Sequence, residues 1–129
     1  MVSAIVSCAG TVPGPPSTPP TEDALPAEDA AAPSEVPSPR ALASLRLTEQ
    51  GRMLLENGYP DDAISILERA VGLNPKNGEN YYYLAEAWIA KRDTVQAEEF
   101  NRLAALYLKG NDWKVKLLDQ RERIRNRGR

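Results

Sequence analysis

Two consecutive stretches of 34 residues decide the fold of this chain. They are residues 44–77, SLRLTEQGRMLLENGYPDDAISILERAVGLNPKN, and residues 78–111, GENYYYLAEAWIAKRDTVQAEEFNRLAALYLKGN. When the first is laid over the second, residues of similar kind coincide at Leu47 and Tyr81, Gly51 and Ala85, Leu54 and Trp88, Ala63 and Ala97, and Ala70 and Ala104. Apolar residues in both stretches recur at the spacing of amphipathic helices. The sequence therefore predicts an internal repeat built from helices.

Start and stop signals divide the chain after residue 37 into five predicted helices. These signals are Ser38 and Pro39 before the first helix, Asn57-Gly58 after it, Pro60 before the second, Gly72 to Pro75 after it, Asn77 before the third, Asp93 with Gln96 before the fourth, and Lys109-Gly110-Asn111 before the fifth. Side-chain oxygens of Ser, Asn and Asp accept the backbone N–H groups that a helix start leaves unpaired, and Gly or Pro interrupts helices.

A helix-turn-helix unit of this period resembles the tetratricopeptide repeat. The family has a small residue where the two helices of a unit cross closely, which matches Gly51 and Ala85. The resemblance implies an all-α fold of two helical hairpins, with repeats at about 44–77 and 78–111 and a capping helix at about 112–126. We expect residues 38–129 to form this domain.

Two features depart from a regular stack of such repeats. The family pattern has apolar residues where this chain has Gln50 and Asn101, and two repeats are fewer than the three or so that such stacks generally need. The fifth helix is expected to supply the missing neighbour. Its apolar face is predicted to consist of Trp113, Leu117, Leu118 and Ile124.

The residues before the repeats have a different composition. Nine of the eleven prolines lie between Pro13 and Pro39, so residues 9–37 are predicted to be a disordered Pro/Ala-rich linker. Residues 5–8, Ile-Val-Ser-Cys, resemble the lipobox of bacterial lipoproteins. The resemblance implies that residues 1–8 are the remnant of a lipoprotein signal and that the Cys8 thiol carries a lipid. The alternative is an inert thiol in a disordered tail.

The composition argues against catalysis. The chain has 129 residues, which allows one modest domain, and it has no histidine and a single cysteine. It therefore lacks the commonest general base, any His/Cys metal constellation and any intrachain disulfide. We predict a protein that is not an enzyme and that has no cofactor and no metal site.

Charge is distributed in blocks. Residues 1–39 carry five acidic residues and no basic one, whereas residues 109–129 carry eight basic residues against three acidic ones. A basic helix can bind an anionic partner, but it also complements a helix C-terminus. No aromatic residues lie between the arginines as stacking platforms, which argues against nucleic acid.

The resemblance to tetratricopeptide repeats implies a groove on the concave face, lined by the first helix of each unit. The residues expected to bind a partner there are Leu45, Thr48, Arg52, Leu55, Glu79, Tyr82, Glu86, Ile89 and Lys116. Their mixture of apolar, aromatic and charged side chains favours a protein segment with apolar anchors and one or two charges.

These observations lead to one main functional hypothesis and one alternative. The main hypothesis is a monomeric scaffold of the bacterial cell envelope, anchored by a lipid at Cys8, facing the periplasm and binding a partner protein or peptide in the concave groove. The alternative is a cytoplasmic adaptor of the same fold with a disordered tail. In a further alternative, the basic C-terminal helix binds an anionic partner.

Overall fold

The computed structural model describes Gly14 and residues 36–129. Cys8 and nearly all of the predicted linker lie outside the described residues. Residues 36–129 contain five helices and no strand, which confirms the all-α prediction. The helices are α1 (Pro39–Glu56), α2 (Pro60–Leu73), α3 (Gly78–Ala90), α4 (Thr94–Tyr107) and α5 (Asn111–Arg127).

Three of the helices begin at the caps that the sequence predicts. Each cap accepts a backbone N–H with its side-chain oxygen: Ser38 from Ala41 at 3.1 Å, Asn77 from Glu79 at 3.1 Å, and Asp93 from Gln96 at 3.0 Å. α2 begins after Tyr59 without a side-chain cap. Glycines with positive φ, Gly58 at 83° and Gly110 at 102°, make the turns before α2 and α5, because L side chains rarely adopt that conformation.

The helices pack as two hairpins followed by a single helix. α1 pairs with α2 and α3 with α4, α3 also lies against α1 and α2, and α5 lies against α4 and α3. One core cluster, which includes Leu67, Tyr81, Leu84 and Leu117, runs through this stack, and Ile89, Ala97 and Ile124 form a second cluster. Burial of these apolar side chains supplies the main stabilisation of the domain.

The first hairpin depends on a close helix crossing at Gly51. A Cβ atom added to this glycine would lie 2.5 Å from Cγ of Leu67, which is fully buried. Any side chain here would collide with the centre of a packed leucine, so α1 and α2 would have to separate. The small residue predicted at the crossing is therefore required by packing.

The second hairpin is joined to α5 by hydrogen bonds. Asn101 donates from its Nδ2 to the Leu117 carbonyl oxygen at 3.0 Å and to Gln120 Oε1 at 2.9 Å. Gln120, which is fully buried, donates in turn to the Tyr82 carbonyl oxygen at 3.0 Å. Asn101 thus departs from the apolar pattern because it holds the fifth helix.

The predicted apolar face of α5 is only partly correct. Leu117 and Ile124 are buried, and Trp113 is half-buried. Leu118 was also expected in the core, but 56% of it is exposed. The neighbouring Leu117 occupies the inward position, and successive residues of a helix point about 100° apart.

Candidate functional site

One face of α1, α3 and α5 forms a groove with a volume of about 450 Å³. Its walls are Arg52, Leu55 and Glu56 from α1, Tyr82, Tyr83 and Glu86 from α3, and Lys116 from α5. These helices are the first member of each hairpin and the helix that follows both. Side chains distant in the sequence are thus brought to a single surface.

Two aromatic rings, those of Tyr82 and Tyr83, line the groove. The ring centroid of Tyr82 lies 5.4 Å from that of Tyr83 and 5.4 Å from that of Trp113, both in edge-to-face geometry. Burial raises the pKa of the Tyr82 and Tyr83 hydroxyls above the ordinary tyrosine value. Both rings are half-buried before any ligand binds. These rings therefore offer apolar surface to a ligand, and their side chains have already lost conformational freedom on folding.

Most of the charges in the groove are paired within the protein. Arg52 donates to Glu49, with Nε 3.0 Å from Oε2, and to Glu56, and the hydrogen bonds to Glu49 raise the pKa of the guanidinium. The Glu86 carboxylate accepts from Gln120 at 2.7 Å and from Arg123 at 2.6 Å. These groups are neutralised locally.

Lys116 is different. Its Nζ lies 4.5 Å from the centroid of the Trp113 ring, and it forms no ion pair with any residue in the described part of the chain. A cation over an aromatic face is held in place without losing its charge. Lys116 is therefore available to a negatively charged group on a ligand.

A family model for the tetratricopeptide repeat matches residues 54–114. The match covers the end of α1, both hairpin turns and the beginning of α5. This part of the chain thus resembles the tetratricopeptide repeat, and the two helical hairpins are consistent with that family. The comparison with curated proteins and the comparison with solved structures find no match. The family indicates protein–protein interaction, and its members are generally non-enzymatic scaffolds.

Five of the nine predicted binding residues line the groove of α1, α3 and α5. They are Arg52, Leu55, Tyr82, Glu86 and Lys116. Leu45, which is 44% exposed, and Glu79, which is half-buried, lie on the same helices but do not line it.

Two predicted binding residues are corrected by the structure. Thr48 is only 4% exposed, and its hydroxyl donates to the Ser44 carbonyl oxygen at 2.8 Å and contacts the Asn80 side chain. Ile89 is also 4% exposed and packs against Ala97 in the second core cluster. Both side chains are used to hold α3 against its neighbours, so neither offers a surface to a ligand.

Sequence reasoning missed two groove residues, Tyr83 and Glu56. Tyr83 follows Tyr82, and a step of about 100° around a helix keeps neighbouring large side chains within reach of one groove. Glu56 lies four residues after Arg52, which is the spacing of ion pairs along a helix. Both signals were present in the sequence.

The described residues carry no sign of a metal centre or of a membrane span. No group of three or more His, Cys, Asp or Glu side chains within them could hold a metal ion. None of the five helices is long and apolar enough to cross a membrane.

Proposed function

We propose that this protein is a scaffold whose tetratricopeptide repeat domain holds a segment of a partner protein in the groove of α1, α3 and α5. The observation that carries the proposal is the pair of half-buried aromatic rings, Tyr82 and Tyr83, that line this groove. Interface energy concentrates on such anchors, since they bury much area for few rotatable bonds.

The charges of the groove narrow the chemistry of the partner. Arg52 and Glu86 are paired within the protein, so a ligand charge would have to compete with those bonds. Lys116 has no such competitor among the described residues. The best-fitting segment has aromatic or aliphatic anchors for Tyr82, Tyr83 and Leu55, and one acidic group near Lys116.

A peptide-display selection against the full chain tests this proposal. We expect selected peptides to bind the wild type and to lose about 1 to 3 kcal/mol of binding free energy with Tyr82→Ala. Tyr59→Ala is the matched control, because Tyr59 is 56% exposed and lies outside the groove. Isothermal titration calorimetry gives the affinities. Equal binding by the two alanine variants would place the interface elsewhere.

A charge-reversal pair tests the acidic group. Lys116→Glu should weaken binding of the selected peptides, whereas Lys76→Glu in the α2–α3 turn should leave it unchanged. If selected peptides carry no acidic residue and bind the Lys116→Glu variant as well as the wild type, Lys116 has no role in recognition.

We further propose that the scaffold acts in the bacterial cell envelope as a lipid-anchored monomer facing the periplasm. Two features of the sequence support this location: the resemblance of residues 5–8 to a lipobox and the Pro-rich acidic stretch between Cys8 and the domain. An extended chain of that composition rises about 3.1 Å per residue, so it would hold the domain away from a membrane.

Expression in a bacterium, with the natural upstream sequence, tests the location. We expect the wild type to sediment with membranes and the Cys8→Ser variant to be released, because acyl chains contribute about 0.8 kcal/mol per buried CH₂. Membrane association of the Cys8→Ser variant at high salt would remove Cys8 as the anchor. Absence of both proteins from the membrane fraction would favour a cytoplasmic adaptor.

A further inference from the structure

A second groove lies between α4 and α5 and shares no lining residue with the first. Its volume is about 320 Å³, and its lining includes residues 109–111, where the chain passes from α4 into α5. The apolar wall is formed by Ala105 of α4 with Leu108 just after that helix, and by Leu117 and Leu118 of α5. We call this surface the α4–α5 groove.

The charged side chains that line the α4–α5 groove are all cations. Lys109, Lys114 and Arg121 line it, and no acidic side chain does. None of these three cations forms an ion pair with a residue that the structure describes. Arg123, on the same helix, is instead bonded to Glu86 and Asp119. The groove therefore has a local positive charge that the domain itself does not neutralise.

The spacing along α5 gives this surface a helical pattern. Lys114, Leu118 and Arg121 are separated by four and three residues, so they lie on one face of α5 over about two turns, or about 10 Å. Leu118 is 56% exposed between the two cations. An apolar anchor flanked by like charges is complementary to a helix with an apolar stripe and acidic flanks.

We propose that the α4–α5 groove binds an acidic amphipathic helix of a partner protein. Such a helix would pair with α5 as α2 pairs with α1. An extended strand fits less well, because the backbone groups of both walls are already bonded within helices and offer no ladder to a strand. A second copy of this chain also fits less well, because two such grooves facing each other would bring six unpaired cations together.

Two synthetic peptides of about 18 residues test the proposal against the full chain, since shorter isolated helices are marginal in water. One carries leucines at helical spacing with glutamates on both sides, and the other replaces every glutamate with lysine. We expect the acidic peptide to bind in a fluorescence anisotropy titration, to weaken as salt is raised, and to exceed the basic peptide by about tenfold or more. Comparable affinity for both peptides, or no binding of the acidic one, overturns the proposal.

Matched variants locate the binding. Leu118→Glu should weaken the acidic peptide by about tenfold or more, whereas Leu106→Glu should not, although Leu106 is 54% exposed on α4, because it lies outside the groove. Arg121→Glu should also weaken binding, with Arg69→Glu on α2 as its control. Circular dichroism checks that all four variants keep their helices. Equal loss in the variants and their controls would show binding by net charge alone and reject the site.

Two further measurements test other possible occupants of the α4–α5 groove, namely a lipid surface and a second copy of this chain. Binding of the wild type to phosphatidylglycerol vesicles, lost in Arg121→Glu and unaffected by the acidic peptide, would assign the groove to a lipid surface. A concentration-dependent dimer in analytical ultracentrifugation that Leu118→Glu abolishes would assign it to a second copy. Both results contradict the proposal. The Tyr82→Ala variant should bind the acidic peptide normally, so failure of this site is distinguishable from failure of the first groove.

Discussion

The two hairpins have the same period but hold their helices together in different ways. In α1–α2 the crossing is apolar, and Leu67 lies over the bare backbone of Gly51. The equivalent residues in α3–α4 are Ala85 and Asn101, and Asn101 directs its amide to α5. The repeat thus determines which positions of the two helices meet. The residues at those positions determine whether the contact is an apolar one within the hairpin or a hydrogen bond to α5.

The two hairpins therefore have different roles in the packing of the five helices. The first hairpin closes on itself through the apolar contact of Leu67 with Gly51 and through a buried hydrogen bond from the Ser44 hydroxyl to the Ala70 carbonyl oxygen at 2.9 Å. The second uses the same position to hold the next helix, since Asn101 and Gln120 link α4 and α5 while Gln120 also bonds the Tyr82 carbonyl and Glu86 of α3. A buried polar network of this kind specifies one arrangement of its helices, because any shift leaves donors or acceptors unpaired.

The largest expected effect comes from substitutions at the apolar crossing of α1 and α2. Leu67→Ala should lower the free energy of unfolding by about 3 kcal/mol, since Leu67 is fully buried and its loss leaves a cavity. Gly51→Ala should be destabilising in the wild type and stabilising by up to about 1 kcal/mol in the Leu67→Ala background, where the helix gains alanine without a collision. Urea unfolding followed by circular dichroism measures this coupling.

Gly72→Ala is the control for this coupling. Gly72 lies on α2 with no atom within 4 Å of an added Cβ, so alanine should stabilise the protein in both backgrounds. Additive effects of Gly51→Ala and Leu67→Ala would show that the two residues do not limit the crossing.

The second prediction replaces Asn101, which bonds α4 to α5, by leucine, the residue at the equivalent position of the first hairpin. Asn101→Leu should cost about 2 kcal/mol, because the Leu117 carbonyl and the Gln120 amide oxygen lose their donor in a buried place. In this variant a protease should cleave α5 earlier in time than the hairpins, because α5 loses its hydrogen bonds to α4. A variant as stable as the wild type, with α5 protected, would mean that apolar burial alone holds the fifth helix.

The third expected effect concerns the helix starts at equivalent positions, Tyr59 before α2 and Asp93 before α4. Asp93→Ala should cost about 1 kcal/mol because the Gln96 N–H loses its acceptor. Tyr59→Asp should stabilise α2 by a comparable amount, since that start lacks a side-chain cap. Thermal unfolding measures both. Destabilisation by Tyr59→Asp would mean that the contacts of the Tyr59 ring stabilise the protein more than a side-chain cap does.

The smallest expected effect is a pH dependence confined to α3. Burial raises the pKa of Tyr81, Tyr82 and Tyr83 in the folded protein. Their contribution to stability is therefore complete below the unfolded tyrosine pKa of about 10 and is lost as the pH rises through the higher folded values. Urea unfolding at increasing alkaline pH should show this decline.

The double variant Tyr82→Phe and Tyr83→Phe should decline less steeply, because phenylalanine does not ionise. The equivalent residues of the first hairpin are Thr48 and Glu49, which do not titrate in this range. Identical alkaline profiles for the variant and the wild type would assign the decline to other groups.

The resemblance to a repeat family predicted part of the groove but not all of it. Register around the first helices led to Arg52 and Tyr82, which line the groove, because a helix repeats its direction regularly. It misplaced Thr48 and Ile89, whose side chains point toward neighbouring helices that the register does not describe. The predictions about Cys8 and the envelope stay predictions, since they concern residues outside those described.

The sequence by itself determined the elements of this protein: five helices, their caps at Ser38, Asn77 and Asp93, and the close crossing at Gly51. These depend on interactions within one helix or between the two helices of one hairpin, so the local pattern contains them. Only the tertiary structure decided that Glu86 is paired with Arg123 and Gln120, that Leu118 faces solvent and that Asn101 holds α5. Those outcomes depend on how α5 docks against α3 and α4, and a side chain's partner across that interface is set by three-dimensional packing rather than by its neighbours in the chain.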